Sequence, residues 1–207
     1  MTGDRLEWIF DRSNFDSLEE RYDAWSVEYD ADHDKWGWRG PDVAAEAVVQ
    51  HGNADGTVLD AGCGTGRGGV ALRNAGWTGR VLGVDLSQGM LDHAEATNSY
   101  DLLLQGSLYE TPLPDAAVDA VISTGVFTHG HVDGRALADL CRVTRPGGTI
   151  VITFRENIIG DYIEDAQALV DQGIWQPLER SEPLALHTGR PDAEQIKQHL
   201  TTWRVLA

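Results

Sequence analysis

Three stretches of the chain bring together residue types that could do chemistry. The first is Thr57-Val-Leu-Asp60-Ala-Gly62-Cys63-Gly64-Thr-Gly66, an apolar run that ends in a carboxylate and continues with glycines at every second position. Such a run reads as a buried parallel strand feeding a turn whose backbone comes very close to a ligand, because glycine carries no Cβ. The second is Arg80-Val-Leu-Gly-Val-Asp85, another buried run closed by an acid about twenty residues on. That spacing sets Asp85 at the tip of the neighbouring strand, where a carboxylate can accept both hydroxyls of a ribose. A nucleoside-type cofactor follows. The third is Ser123-Thr124-Gly125-Val-Phe127-Thr128-His129-Gly-His131. An imidazole titrates near physiological pH, so His129 or His131 is a candidate general base. Equally, one of them hydrogen-bonds backbone and shapes the loop. His129-x-His131-x-Asp133 also has the spacing of some metal sites. Ligands at i and i+2 rarely define a site, and His187 and His199 have no supporting motif, so no metal is expected.

Gly64-Thr-Gly66-Arg-Gly68-Gly69 satisfies the G-x-G-x-x-G pattern of dinucleotide sites. A pyrophosphate at a helix N-terminus gains from the positive dipole and free N–H groups. An acid in the same turn would repel it, and Asp60 stands two residues before the first glycine. A cationic ligand head suits that turn better. S-adenosylmethionine carries a sulfonium and an ammonium, and no phosphate.

With Leu59-Asp60-Ala-Gly62-Cys63-Gly64-Thr-Gly66, then Gly83-Val-Asp85-Leu86-Ser87, then Arg145-Pro146-Gly147-Gly148 before a strand, the chain resembles the class I S-adenosylmethionine-dependent methyltransferases. Along residues 22–157 it is most similar to the methyltransferase-like proteins named after the Williams–Beuren syndrome region, through Tyr22-Asp-Ala-Trp25, Trp38-Arg39-Gly-Pro41 and Thr128-His129-Gly-His131-Val. The resemblance implies a Rossmann-like, doubly wound, mostly parallel seven-stranded sheet with helices on both faces, under an N-terminal helical lid. It implies S-adenosylmethionine as cofactor and S-adenosylhomocysteine as product. Asp60, Gly62, Cys63 and Gly64 would form the cofactor turn, Asp85 would hold the ribose, and Leu86 and Ser87 would flank the adenine. The family places an acid after strand three; here Ser107 stands there, with the Leu108 N–H beside it for a ring nitrogen. Thr124 would line the methionine portion, Arg39 would pair with the methionine carboxylate, and Tyr29, with Tyr22 and Trp25, would cover the sulfonium. Arg155, after strand five, would orient the acceptor.

The chain has 207 residues, 42 % of them hydrophobic, which suits one domain over 1–207, with helices in 1–52 and the Rossmann-like core in 53–207. Its net charge of −17, with only two lysines (Lys35 and Lys197) among sixteen basic residues, argues against a nucleic-acid substrate. No apolar run reaches membrane-spanning length and the first residues lack the form of a signal peptide, so a cytoplasmic protein is expected. Two cysteines, Cys63 and Cys141, make no disulfide framework. The expected activity is methyl transfer to an O or N atom of a small-molecule acceptor, by a monomer or homodimer. The alternatives are a non-methylating cyclase or decarboxylase that binds the same cofactor, a non-catalytic regulatory subunit, and a protein methyltransferase.

Apolar and capping patterns place the elements that must position these residues. Tyr22, Trp25 and Tyr29 share a face of a helix over about 15–31, and Pro41 opens a second helix. Strands are expected at 57–61, 80–85, 101–105, 118–123 and 149–154, with Ser87 capping the helix after the second. Helices are expected at 134–144 and 161–172, and a final antiparallel pair from 177–188 and 201–206. Asp30-Ala-Asp32-His-Asp34 reads as a solvated surface.

Overall fold

The computed structural model describes residues 17–128, 132–193 and 196–206. Ser17 opens α1 (Leu18–Trp36) with a capping box: its side chain accepts from the Glu20 N–H, and Glu20 answers its backbone N–H. Gly37, left-handed at φ 58°, closes the helix. Pro41 lies in the first turn of α2 (Gly40–His51). The chain then alternates: β1 (Val58–Ala61), α3 (Arg67–Asn74), β2 (Val81–Asp85), α4 (Gln88–Ala96), β3 (Leu102–Gln105), β4 (Val118–Phe127), α5 (Arg135–Val143), β5 (Thr144–Arg155) and α6 (Gly160–Asp171). It ends in β6 (Trp175–Arg180), β7 (Leu184–Ala185) and β8 (Lys197–Val205). Ser87 caps α4 by accepting from the Met90 N–H at 3.0 Å.

The sheet runs β3-β2-β1-β4-β5-β8-β6, with the two-residue β7 beside β8 as an eighth strand. The first five strands are parallel; β8 is antiparallel to both β5 and β6. Period-2 alternation fills both faces. Val58, Val81, Ile122 and Val151 pack with Ala44, Val48, Leu72 and Trp77 of the α2–α3 side. Leu59, Leu82, Val121 and Ile150 point the other way, into a core with Leu137, Leu140, Tyr162 and Trp175. A one-residue slip would exchange the two sets, so burial on both faces fixes the register. The chain starts at β1 and winds first toward β3, then back through β4. The crevice between β1 and β4 is therefore the switch point at which ligands of such sheets bind.

Four elements differ from the sequence expectation, one being the strand expected over 177–188, which is split into β6 and β7. β4 continues past Ser123 to Phe127, with a register shift around Gly125, whose φ of 73° breaks the ladder without ending it. β5 starts at Thr144, which pairs with Val118, so Pro146-Gly147-Gly148 is an irregularity within a strand. α1 runs on to Trp36, and its acidic end is not a free surface. Asp30 accepts from Thr65 Oγ1 at 2.7 Å and Arg67 Nε at 2.8 Å, Asp32 accepts from Trp25 Nε1 at 2.9 Å, and His33 is buried. Arg67, at the start of α3, pairs with Asp30 and Asp34 and ties this end of α1 to the core.

Candidate active site

The carboxyl edge of β1, β2 and β4 opens into a crevice of about 810 Å³ of empty space, its mouth included. Among its lining residues are Gly62, Gly64, Asp85, Leu86, Ser107, Leu108 and Thr124, together with Tyr29 from α1. With Ser87 and Tyr22, which also line it, ten of the predicted cofactor residues come to one cavity. Asp85 is held by its neighbours: one carboxylate oxygen accepts from the Gly64 N–H at 2.8 Å, the other from the Ser87 N–H at 3.0 Å. Each oxygen keeps a lone pair for a hydroxyl. Burial pushes the Asp85 carboxyl above the usual carboxylate range, against these N–H bonds. At Gly64, φ is 53° and an added Cβ would meet no protein atom within 4 Å. The space beside that backbone is ligand space.

Asp60, Cys63 and Arg39 lie off the lining, and Trp25 lines an adjoining chamber instead. The Asp60 side chain, 2 % exposed, turns beneath the start of α3: a Cβ at Gly68 would lie 2.2 Å from its Oδ2, and Tyr100 Oη donates to it at 2.6 Å. Burial raises its pKa to about 7. The positive end of α3 is thus answered from within by a carboxyl group, and a pyrophosphate there would compete with it. The Cys63 thiol faces Gly83, away from the crevice, and burial raises its pKa. Arg39 is exposed; its backbone N–H donates to the Leu186 carbonyl at 2.8 Å. His129 and His131 lie outside the described residues. Among the described residues no three His, Cys, Asp or Glu side chains are grouped to hold a metal ion.

Sequence reasoning missed Glu19, which lines the crevice, and Gln105, whose side-chain amide donates to Glu19 at 3.1 Å and to the Leu86 carbonyl at 3.0 Å. Glu19 continues the Tyr22–Tyr29 stripe one turn back, which was the available signal. No lysine or arginine is among the crevice residues, while two carboxylates, Glu19 and Asp85, are. Apolar Leu86, Met90, Leu108 and Val126 supply the rest of the wall. A sugar-binding acid, open space beside a glycine and negative charge fit an adenosyl sulfonium and disfavour a dinucleotide.

A second chamber adjoins the first. Tyr22, Tyr29 and Gly125 line both. Its other walls include Trp25, His33, Trp38, Thr128, Arg155, His187 and Gln198. An antiparallel bridge between Trp38 and His187 ties the α1–α2 turn to the segment before β8, and Gln198 stands opposite Arg155 in the β5–β8 register. Desolvation lowers the pKa of both His33 and His187 to about 4, so both rings are neutral at physiological pH. The Arg155 Nε and His187 Nδ1 atoms are buried and have no hydrogen-bond partner. Of the sequence-derived catalytic candidates, Arg155 alone is described.

A family model for the methyltransferase domain matches residues 59–152. Human methyltransferase-like protein 27 is 34 % identical over 170 residues, which cover 76 % of this chain and 67 % of that protein. The malonyl-[acyl-carrier protein] O-methyltransferase of Yersinia pestis is 36 % identical over 149 residues, 70 % of this chain and 52 % of its own length. The chain therefore spans between half and two thirds of these two relatives. In fold, it superposes on a chain from the complex of the Haloferax volcanii Trm112 methyltransferase activator with a methyltransferase, with a TM-score of 0.73, 22 % identity and coverage of 92 % and 98 %. The chain belongs to the class I S-adenosylmethionine-dependent methyltransferases, and S-adenosylmethionine is its cofactor.

Proposed function

We propose that this methyltransferase transfers its methyl group to an oxygen or nitrogen of a small-molecule acceptor held in the second chamber. The observation that carries this reading is the shared wall: Tyr22, Tyr29 and Gly125 border both cavities, so donor and acceptor would meet across them. The chamber holds about 550 Å³ of empty space, mouth included, which is the scale of a small molecule. The net charge of −17 opposes a nucleic-acid substrate. The Yersinia relative is by its name an O-methyltransferase, which favours oxygen.

When bound, S-adenosylmethionine supplies an electrophilic methyl group on a sulfonium. The protein's share is alignment and the exclusion of water. Asp85 holds the sugar hydroxyls, Glu19 adds negative charge facing the cationic donor, and the backbone at Gly62 and Gly64 permits close approach. In this reading α1 is a lid. Its Tyr22 and Tyr29 rings close the crevice, and their faces attract cations. Asp30 bonded to Thr65 and Arg67 holds one end, and Asp23 bonded to Ser87 and to the Gly89 N–H at 3.0 Å holds the other. His129 or His131 takes a proton only where the acceptor must lose one. Domain extent, 1–207, cytoplasmic location and the narrower kinship with the Williams–Beuren region proteins belong to the same proposal.

Methyl-labelled S-adenosylmethionine incubated with the protein and a metabolite extract tests it. Label should move into a small organic product. Label that stays on the donor points to a non-methylating enzyme or a regulatory subunit, and label in polypeptide points to a protein methyltransferase.

A further inference from the structure

The second chamber carries positive charge that no carboxylate among the described residues meets at ion-pair distance. Arg155 enters from the end of β5, and no carboxylate among the described residues pairs with it. Asp192, the nearby acid, is already taken: Arg190 Nε and Nη2 each donate to it at 2.7 Å. The two histidines of the wall, His33 and His187, add no charge. His33 Nδ1 lies 2.9 Å from the Tyr29 carbonyl, which can only accept, so that nitrogen carries the proton. His187 is buried at 9 % exposure, with Nδ1 unpartnered. The third orphaned atom of the region, Trp38 Nε1, turns toward Gly40 and is not part of this set.

A guanidinium N–H is a donor only, and a buried one without an acceptor costs about 1–3 kcal/mol or more. The chain tolerates that cost in a molecule with seventeen excess negative charges, in which nearly every other buried arginine contact ends on an acid or a carbonyl. The cost disappears when an oxyanion enters. Carboxylate is the oxyanion that fits: planar, able to take two parallel N–H bonds from a guanidinium, and compatible with the neighbouring imidazole and the Gln198 amide. The Trp25, Tyr29 and His33 rings line the same chamber, Tyr29 stacked on His33 and Trp25 set edge-on to Tyr29.

We propose that the methyl acceptor is a small organic carboxylate whose carboxyl group seats on Arg155 and His187. This assignment rests on the reading of the second chamber as the acceptor site. Arg155 then touches substrate, and His187, with its proton on Nδ1, donates a second bond. Gln198 flanks the same group.

The test uses the full chain saturated with S-adenosylhomocysteine. Its binding is measured first by calorimetry; its failure to bind would sink the donor assignment itself and not this inference alone. A panel of arylalkanoic and short aliphatic carboxylates is then titrated against the matched primary amides and amines. At least one carboxylate should bind ten-fold or more tightly than its own amide. Arg155→Gln should erase that preference while leaving S-adenosylhomocysteine affinity unchanged. Arg155→Lys should keep part of it, a rescue that a purely structural role does not predict. His187→Phe should weaken the carboxylate several-fold and leave the amide unaffected. Equal binding of acids and amides, absence of any carboxylate binding to the S-adenosylhomocysteine complex, or an acid preference that survives Arg155→Gln overturns the proposal. In the turnover assay, label found as a methyl ester makes the carboxylate the methylated group; label elsewhere on a carboxylate-bearing product makes it the handle.

Discussion

At the scale of single residues, Asp85 and Gly64 form one device. The Asp85 carboxylate is fixed by the N–H groups of Gly64 and Ser87, and it faces the crevice that the missing Gly64 side chain leaves open. Asp85→Ala removes a charge-assisted acceptor, and calorimetry should show S-adenosylmethionine binding weakened by about 1.5–3 kcal/mol, roughly ten- to 150-fold. Gly64→Val should abolish binding by filling the crevice. The empty protein should lose only about 1–2 kcal/mol, because an added Cβ meets no protein atom within 4 Å and the cost is mainly that of a β-branched residue at positive φ. A large fall in melting temperature with binding intact would reverse that assignment. Asp60 makes a separate prediction. Its folded pKa, about 7, lies above the ordinary 3.8, so between these values the folded state binds more protons than the unfolded one. Its contribution to stability therefore falls as pH rises from about 4 to about 7, by at most about 1.4 kcal/mol per pH unit, and is constant above that. Asp60→Asn should gain on the wild type in melting temperature between pH 5 and pH 8; parallel curves would show that Asp60 is ionised throughout.

At the scale of elements, α1 and β4 decide the site, and they were unequally legible. The strand-and-acid pattern of β1 and β2 was readable because burial on both faces demands a continuous apolar run, and glycine-then-acid endings have few other uses. The Tyr22–Trp25–Tyr29 face was readable from helical spacing. The Asp30–Asp34 stretch was not, because acids near a helix end look the same whether they face water or an arginine 37 residues on. His187 and Gln198 were illegible for a related reason. They reach the second chamber through the Trp38–His187 bridge and the β5–β8 pairing, contacts between segments far apart in the chain. β4 ran past its expected end because β5 pairs with it again at Phe127, beyond the last β1 partner at Ile122, despite a glycine at positive φ. The latch on α1 yields its own expectation. Arg67→Ala removes bonds to the Asp30 side chain, the Asp30 carbonyl and Asp34. Limited proteolysis within 18–36 should then quicken, and S-adenosylmethionine affinity should fall several-fold, through Glu19, Tyr22 and Tyr29 alone. Unchanged cleavage would mean that α1 is held by its packing on α4 and not by these charges.

At the scale of the whole molecule, charge is the dominant property. Thirty-three acidic residues face sixteen basic ones, and most of the acids in the ion pairs seen are exposed, as are both partners at Arg135–Asp133 and the acid at Arg142–Asp115. Exposed pairs of this kind contribute between zero and about 1 kcal/mol each. They do not offset the mutual repulsion of the surplus carboxylates, which are closest together in the folded chain. Added salt screens both, with a Debye length of about 10 Å at 0.1 M and about 3 Å at 1 M. Repulsion among many widely spaced charges is lost first, while contacts at hydrogen-bond distance are screened less. The melting temperature should therefore rise on going from about 0.05 M to about 1 M sodium chloride, and it should rise more at pH 8 than at pH 5, where part of the carboxylate charge is titrated away. Potassium chloride should act alike, since screening depends on ionic strength and not on the cation. A flat or falling melting temperature would show that the attractive pairs, such as Arg67 with Asp30 and Asp34 of α1, outweigh the net charge. In that event Arg67→Ala should remove most of the salt sensitivity, which links the stability of the whole chain back to the latch on α1.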